Sequence, residues 1–383
     1  MTTSAAWELD REHEDFRDSV RVFVDRHVRP VVDESEQAGR PPAALLKEMG
    51  SAGLLGLAVP EEYGGGGGDA LAATLLAEEL TRASGGIAVT ALVSGYMSTP
   101  HIARFGTDAQ RAKYLPGLVA GEKIAAIAVT EPGAGSNVAG ITTRATRVEG
   151  GYQLDGTKMF ITNAGLADVF VVAARTSPDG HRGITTFIVD ADNPGLSLGQ
   201  PLRKMGWHAS DTREVILSGC LVGEDAILGR LGRGFHQIMA AFQLERLNLA
   251  GMGLGHAAEC LQQATIYARD REVFGAPLIS LQTTRHRLAA LSVELEAAQL
   301  LTYRAAARLD AGHPQAAASV AKAKYHSAIA ANHIVDECVQ IFGGSGFLDE
   351  TPVARHYRDA RVLRIGGGTD EIQLEILAKG LSA

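Results

Sequence analysis

Cysteine is scarce in this chain: Cys220, Cys260 and Cys338 are the only three in 383 residues, far apart and without CxxC spacing. That set excludes a disulfide frame and a thiolate metal site, and reads as buried thiols in a reducing compartment. Long apolar runs are missing too. No stretch approaches the roughly 18 residues needed to cross a bilayer, so no membrane span is expected. Excess positive charge is also absent. The formal charge is −8, which leaves no electrostatic footprint for nucleic acid. The start, MTTSAAWELDREHEDF, is charged and has no apolar core, so no secretory signal is expected and the chain reads as cytoplasmic. The histidines form no HxxxH, HExxH or Cys-His cluster, which argues against a bound metal. A GxSxG nucleophile elbow is lacking as well.

The hydrophobic content, 46%, is enough to bury a large core in two or three domains. Residues 1–122 read as helical. Phe16, Val20, Phe23, Val24 and Val28 form an apolar stripe that Pro30 is expected to break. The glycine run in EEYGGGGGD lacks the preceding strand and the GK[ST] ending of a nucleotide loop, and reads as a flexible surface connection. Residues 123–232 change character. ITTRATRV, FVVAAR, GITTFIVD and EVILSGCLV are rich in β-branched residues and are parted by EGG, SPDG and DNPG turns, the pattern of a small antiparallel β domain. No helices alternate with these strands, so a dinucleotide-binding strand-helix-strand fold is excluded. Residues 233–383 carry three long helical patterns and a short terminal one, which predict a four-helix bundle. The fold class is α+β, mainly helical, without internal repeats.

Four short stretches carry possible chemistry. AVTEPGAGSNVAG, residues 128–140, ends a strand in a glycine-rich loop beside Thr130, Ser136 and Asn137. It suits a planar polar ring or a phosphate, and equally a tight turn. In KMFITNAG, Phe160 and Thr162 are two apart and are expected on one strand face. Glu245, in QLERLNLA, has Ala241, Phe242 and Leu249 as helical neighbours. It sits at the apolar stripe, either at its solvent edge or facing a desolvated cavity where its pKa would rise. Finally, RIGGGTDEIQLEI, residues 364–376, feeds three glycines into a helix that Thr369 or Asp370 can cap. That entry is an anion site, a close approach for a ligand, or a plain turn.

AVTEPGAGSNVAG, DGTKMFITNAG, KMGWHASDTREVIL, REVFGAPLISLQ, VQIFGGSGF and GGGTDEIQLEILAKGL, in this order, resemble the acyl-CoA dehydrogenase family over nearly the whole chain. The resemblance implies a homotetramer with one FAD per subunit, held between the β domain and the bundle. It implies that the loop from Ile127 through Val129, Thr130 and Gly135 to Ser136, with Phe160, Ile161 and Thr162, surrounds the isoalloxazine ring. Ser136 would also touch the thioester. Gly368, Thr369 and Glu371 would meet the pyrophosphate. Arg271, Phe274, Gln282 and Gln340 to Gly344, with Gly343 between them, would reach the adenine half on a neighbouring subunit. One departure is Asn137, where the family usually has aspartate, so a charge-assisted bond is weakened there.

In many members the residue before the terminal Gly-Thr is the catalytic glutamate; here it is Gly367, with Gly366 in place of a frequent aromatic. A subset resembling isovaleryl- and long-chain acyl-CoA dehydrogenases carries the base on the first bundle helix before an arginine, which here is Glu245 before Arg246. The implied reaction is α,β-dehydrogenation of an acyl thioester. Glu245 takes the α proton, the β hydrogen passes as hydride to the flavin, and the Gly367 N–H polarises the carbonyl. Arg246, Gly366 and Tyr96 would border the acyl group, and the missing side chains at 366 and 367 lead us to expect room for a bulky one. Electrons would leave to an electron-transferring flavoprotein. An acyl carrier protein thioester in place of acyl-CoA, an oxidase, a flavin monooxygenase and a non-enzymatic CoA-binding flavoprotein are the rival readings.

Overall fold

The structure, a computed structural model, describes residues 9–381; residues 1–8, part of the start read as lacking a signal, lie outside the described residues. The N-terminal domain is helical: α1 (Arg11–Phe23), α2 (Val32–Ala38), α3 (Ala43–Ser51), α4 (Ala70–Ala83), α5 (Gly85–Leu92), α6 (Thr99–Phe105) and α7 (Asp108–Val119). Local chemistry starts several of them. Asp10, Asp69 and Ser84 accept from N–H groups three residues on, and Thr107 with Gln110 forms a capping box. Val20, Val24 and Val28 are buried as the stripe requires. Pro30 does not end the run: it lies in a 3-10 turn, Arg29–Val31, where its missing N–H is tolerated, and the chain goes straight on into α2. The five-glycine run differs from expectation too. Gly66, Gly67 and Gly68 donate to the carbonyls of Gly56, Val59 and Leu57, and a Cβ on Gly65 would stand 1.9 Å from the Val59 oxygen. It is a strap fastened by its backbone rather than a loose connection.

The central domain is one sheet of β1 (Ala125–Ala128), β2 (Arg144–Val148), β3 (Gly151–Thr162), β4 (Val169–Arg175), β5 (Ile184–Asp190), β6 (Leu196–Leu198), β7 (Thr212–Gly223) and β8 (Ile227–Leu228). Its order is β6-β7-β3-β2-β4-β5-β8, with β1 added on β4. Most pairs are antiparallel. The exceptions are β1, parallel to β4 along its length, and a single parallel pair, Arg144 with Arg175, joining β2 to β4. The loop and β2–β3 hairpin between β1 and β4 supply the long crossover that a parallel pair needs.

The C-terminal domain contains α8 (Gly234–Asp270), a small hairpin of β9 (Glu272–Val273) and β10 (Ala276–Pro277), α9 (Gln282–Asp310), α10 (Ala316–Phe342), α11 (Pro352–Ala360) and α12 (Asp370–Lys379). The sequence reading had no separate α11. Helix α8 is the axis of the molecule. It packs against α10 and α9 and against α4 of the first domain, and every residue from Arg246 to Ala257 is buried. A helix covered on all sides shows no amphipathic stripe there. Small residues permit the closeness: a Cβ on Gly251 would stand 2.6 Å from the Thr74 carbonyl oxygen, and one on Gly255 2.3 Å from that of Glu78. No helix among the described residues is long and apolar enough to cross a membrane.

The α4–α8 contact makes a direct prediction. Gly255→Ala must push backbone from backbone and is expected to cost about 1–3 kcal/mol through overpacking, net of roughly 1 kcal/mol gained in helix propensity. Gly253→Ala, whose Cβ would stop 3.1 Å from the Ser327 carbonyl, is expected to be milder. Urea unfolding of the two variants side by side checks the order.

Candidate active site

The loop after β1 is fixed from beneath by a buried ion pair. Lys158 of β3, fully buried, donates to the Glu131 carboxylate at 2.8 Å and to the Val129 carbonyl at 3.1 Å. Glu131 also accepts from the N–H groups of Thr142 and Thr143. Burial alone would raise the Glu131 pKa; Lys158 and these donors outweigh it and hold it at about 2. Burial lowers the Lys158 ammonium to about 8 in spite of its partner. The Met159 N–H adds a bond to the Thr130 carbonyl at 2.8 Å. Ile127, Val129 and Thr130 are thereby held beside the 158–162 segment, as the two motifs require.

Within that segment the alternation expected of a strand fails. The register against β7 slips between Lys158 and Ile161, and Phe160 sits at φ +60°. The bulge inserts an unpaired residue, so Phe160 and Thr162 do not share a face by simple count. The side chain of Phe160 is 63% exposed, Ile161 is buried, and Thr162 is half-buried opposite Thr212. In the loop that Lys158 and Met159 hold at Val129, Thr130 and Glu131, Gly135, Ser136 and Asn137 are exposed, and a Cβ added to Gly133 or Gly135 would meet nothing within 4 Å. An exposed aromatic beside a bare loop fits a flat ring.

Glu245 and the three glycines meet. Arg246 donates from Nε to the Gly367 carbonyl at 3.1 Å, and a Cβ on Gly367 would lie 3.7 Å from Glu245 Oε1. Glu245 is half-buried, yet desolvation by the surrounding protein outweighs the cations Arg246 and Lys324 and raises its pKa from 4.5 to about 7. Gly367 and Gly368 have φ of +63° and +95°. The turn delivers the chain to α12, which Thr369 caps by accepting from the Ile372 N–H. Among the described residues no hydrogen bond engages the N–H of Gly367, Gly368 or Thr369. Unpaired N–H groups at a helix start are an anion site, and exposed Glu371 lies beside them with its pKa lowered, chiefly by the Thr369 hydroxyl.

Other placements qualify the expectations. Gly366 is open, its nearest neighbour being the Val362 oxygen at 3.7 Å, but the space at Gly367 is filled: its Cβ would meet Leu249 Cδ1 at 2.4 Å. Only one of the two missing side chains therefore leaves room. Tyr96 is buried and its hydroxyl donates to the Leu54 carbonyl, so nothing frees it to face an acyl chain. Arg271, Phe274 and Gln282 lie past the far end of α8, about 38 Å along the helix from Glu245. Phe274 is 100% exposed at φ +50° in the β9–β10 turn. Gln340, Gly343 and Gly344, at the end of α10, are exposed too, and a Cβ on either glycine would meet nothing within 4 Å. The structure does not join this set to Glu245 within one chain.

Sequence reasoning missed Leu249 as the filler, the Lys158–Glu131 pair, Gln373, whose Nε2 donates to the carbonyls of Gly367 and Gly368, and Lys324, whose Nζ donates to Gly368 at 2.6 Å. Lys324 was findable. Val320, Lys324 and Ala328 share a helix face, and a lysine on an apolar stripe calls for a partner.

Comparison with known proteins identifies the family. The acyl-CoA dehydrogenase N-terminal, middle and C-terminal domain families match residues 10–122, 126–220 and 232–382. An acyl-CoA dehydrogenase of Bacillus subtilis (strain 168) is 38% identical over 95% of this chain and 96% of its own. A 3-(aryl)acrylate reductase of Clostridium sporogenes is 38% identical over 97% and 98%. The solved butyryl-CoA dehydrogenase from Megasphaera elsdenii superposes with a TM-score of 0.94 at 37% identity, covering 98% of this chain and all of that one. With all three domain families matched along nearly its whole length, the chain belongs to the acyl-CoA dehydrogenase family, FAD-dependent oxidoreductases acting on the CH–CH bond of acyl thioesters.

Proposed function

We propose that Glu245 is the base that removes the α proton of an acyl-CoA thioester. The observation that carries this is the 3.7 Å between Glu245 Oε1 and the point where a Gly367 side chain would begin. The glutamate on α8 reaches the place that the family's other base position would occupy. Desolvation suits it to the task, since a carboxylate with pKa about 7 holds a proton far better than one at 4.5. The free N–H of Gly367 is the chain's donor to the thioester carbonyl, an interaction worth about 3–4 kcal/mol in comparable sites. The bared loop at 133–136, Phe160 and the start of α12 would hold the FAD, which would supply a hydride acceptor for the β hydrogen. Leu249 and open Gly366 border the acyl group, which favours the isovaleryl- and long-chain-like subset by position of the base.

We further infer a homotetramer in the cytoplasm that passes electrons to an electron-transferring flavoprotein. The exposed set Arg271, Phe274, Gln282 and Gln340 lies too far from its own chain's Glu245 to serve the same cofactor, and therefore serves a neighbour's. The three cysteines are free and buried, in keeping with a reducing compartment.

Five outcomes check this reading. Glu245→Gln is expected to keep FAD yet slow anaerobic bleaching by acyl-CoA at least about a hundredfold. In the wild type the bleaching rate is expected to fall as pH drops through about 7, because Glu245 must be deprotonated to act. Wild-type bleaching by the Gln variant contradicts the assignment. Moving the base, as Glu245→Gly with Gly367→Glu, is expected to fail against Leu249 and the positive φ at 367; adding Leu249→Ala should recover measurable bleaching. Light scattering is expected to give four chains per particle, and Phe274→Ser to lower FAD retention without unfolding the subunit. A monomer with full FAD would overturn the shared-site reading.

A further inference from the structure

The most unusual charge outside the assigned machinery is Lys324, 1% exposed in the middle of α10. Its ammonium donates to the Gly368 carbonyl at 2.6 Å. Two more donors converge on the same turn: Arg246 Nε on the Gly367 carbonyl at 3.1 Å, and Gln373 Nε2 on the carbonyls of Gly367 and Gly368 at 3.2 and 3.1 Å. In a trans peptide the C=O and the following N–H point opposite ways. Carbonyls drawn toward α8, α10 and α12 therefore turn the N–H groups of Gly368 and Thr369 away from those helices. Two glycines at positive φ offer little resistance to other conformations by themselves, so the turn owes its shape to these donors.

We infer that Lys324 is a positioning residue for the dehydrogenation, fastening the glycine turn through the Gly368 carbonyl and setting the charge that the Glu245 carboxyl faces. The inference rests on the reading of Glu245 as base. The groups around the pair are Arg246 from α8, Arg364 from the turn before α12, and Asp370 at its start, which binds Arg364 at 2.7 Å. Burial brings Lys324 down to about 8, with Asp370 and Glu245 opposing that shift, so near neutral pH it is mostly an ammonium. That cation lowers the proton affinity of Glu245 against the desolvation that raises it. Removing the cation must therefore raise the Glu245 pKa and move the acid limb of the rate profile to higher pH. A lysine that only fills space would leave the limb where it is.

The test uses the intact holoenzyme and measures FAD content, thermal midpoint and the pH dependence of anaerobic bleaching by saturating acyl-CoA. Lys324→Gln keeps a donor for Gly368 and loses the charge. It is expected to retain FAD and to shift the acid limb upward by about 1 pH unit, the low end for loss of a nearby opposite charge. Lys324→Arg keeps the charge and is expected to leave the limb in place, whatever its rate. A Gln variant with full FAD and an unmoved limb overturns the inference. If the Gln variant does not hold FAD, Lys324→Met takes its place; if neither neutral variant does, the Glu245 carboxyl is titrated by infrared difference spectroscopy in FAD-free Lys324→Gln and FAD-free wild type, where a raised midpoint in the variant supports the inference and an unmoved one overturns it. Glu245→Gln in the same assay separates the two levels: bleaching there removes the base itself, whereas its loss beside an unmoved neutral Lys324 variant removes only the role of Lys324.

Discussion

The bond from Arg246 to the Gly367 carbonyl joins two parts of the chain 121 residues apart, and the site's chemistry depends on that junction. It sets the first bundle helix against the glycine turn at the point where Glu245, the proposed base, comes within 3.7 Å of where a Gly367 side chain would begin. Because Arg246 follows Glu245 directly, anything that fixes the arginine fixes the glutamate. The same α8 face then contributes Leu249, one turn on, which occupies the space beside Gly367. The space that a side chain at 367 would need is taken up by another element, so a carboxylate could not be moved there independently of its neighbours.

Such accuracy needs a rigid support. Helix α8 supplies it by being enclosed on every side from Arg246 to Ala257, close enough to α4 that glycines replace side chains at Gly251 and Gly255. The glycine-rich loop after β1 is supported differently, by the buried Lys158–Glu131 pair. Removing one member of such a pair leaves a charge without a partner and costs about 3–5 kcal/mol. The carboxylates of the two regions diverge for the same reason that they are useful. Both are desolvated, but Glu131 has its ammonium and three further donors and stays ionised at any ordinary pH, while desolvation wins at Glu245 and leaves it poised near neutrality.

Much of this was legible in the sequence because it is local. Turn-punctuated β-branched runs gave way to long helical patterns where the sheet does end, and a carboxylate on an apolar stripe marked Glu245. Three glycines before Thr369 marked the start of α12. What was not legible depends on contacts between distant segments. The bulge that turns Phe160 outward violates the two-residue period of β3, and only its pairing with β7 reveals it. The five glycines after Tyr63 looked loose because glycine carries no side chain to announce a partner; their partners are backbone atoms at 56, 57 and 59. Leu249 reads as one more stripe residue until Gly367 lies beside it.

The claim on which the account turns is that the protein holds the Glu245 carboxyl well above its ordinary proton affinity. Isotope-edited difference infrared spectroscopy of carboxyl-labelled protein, with Glu245→Gln as the blank, measures that titration without turnover. A carboxyl midpoint near pH 7 that is missing from the Gln variant is expected; a Glu245 midpoint near its ordinary 4.5 would contradict a desolvated base.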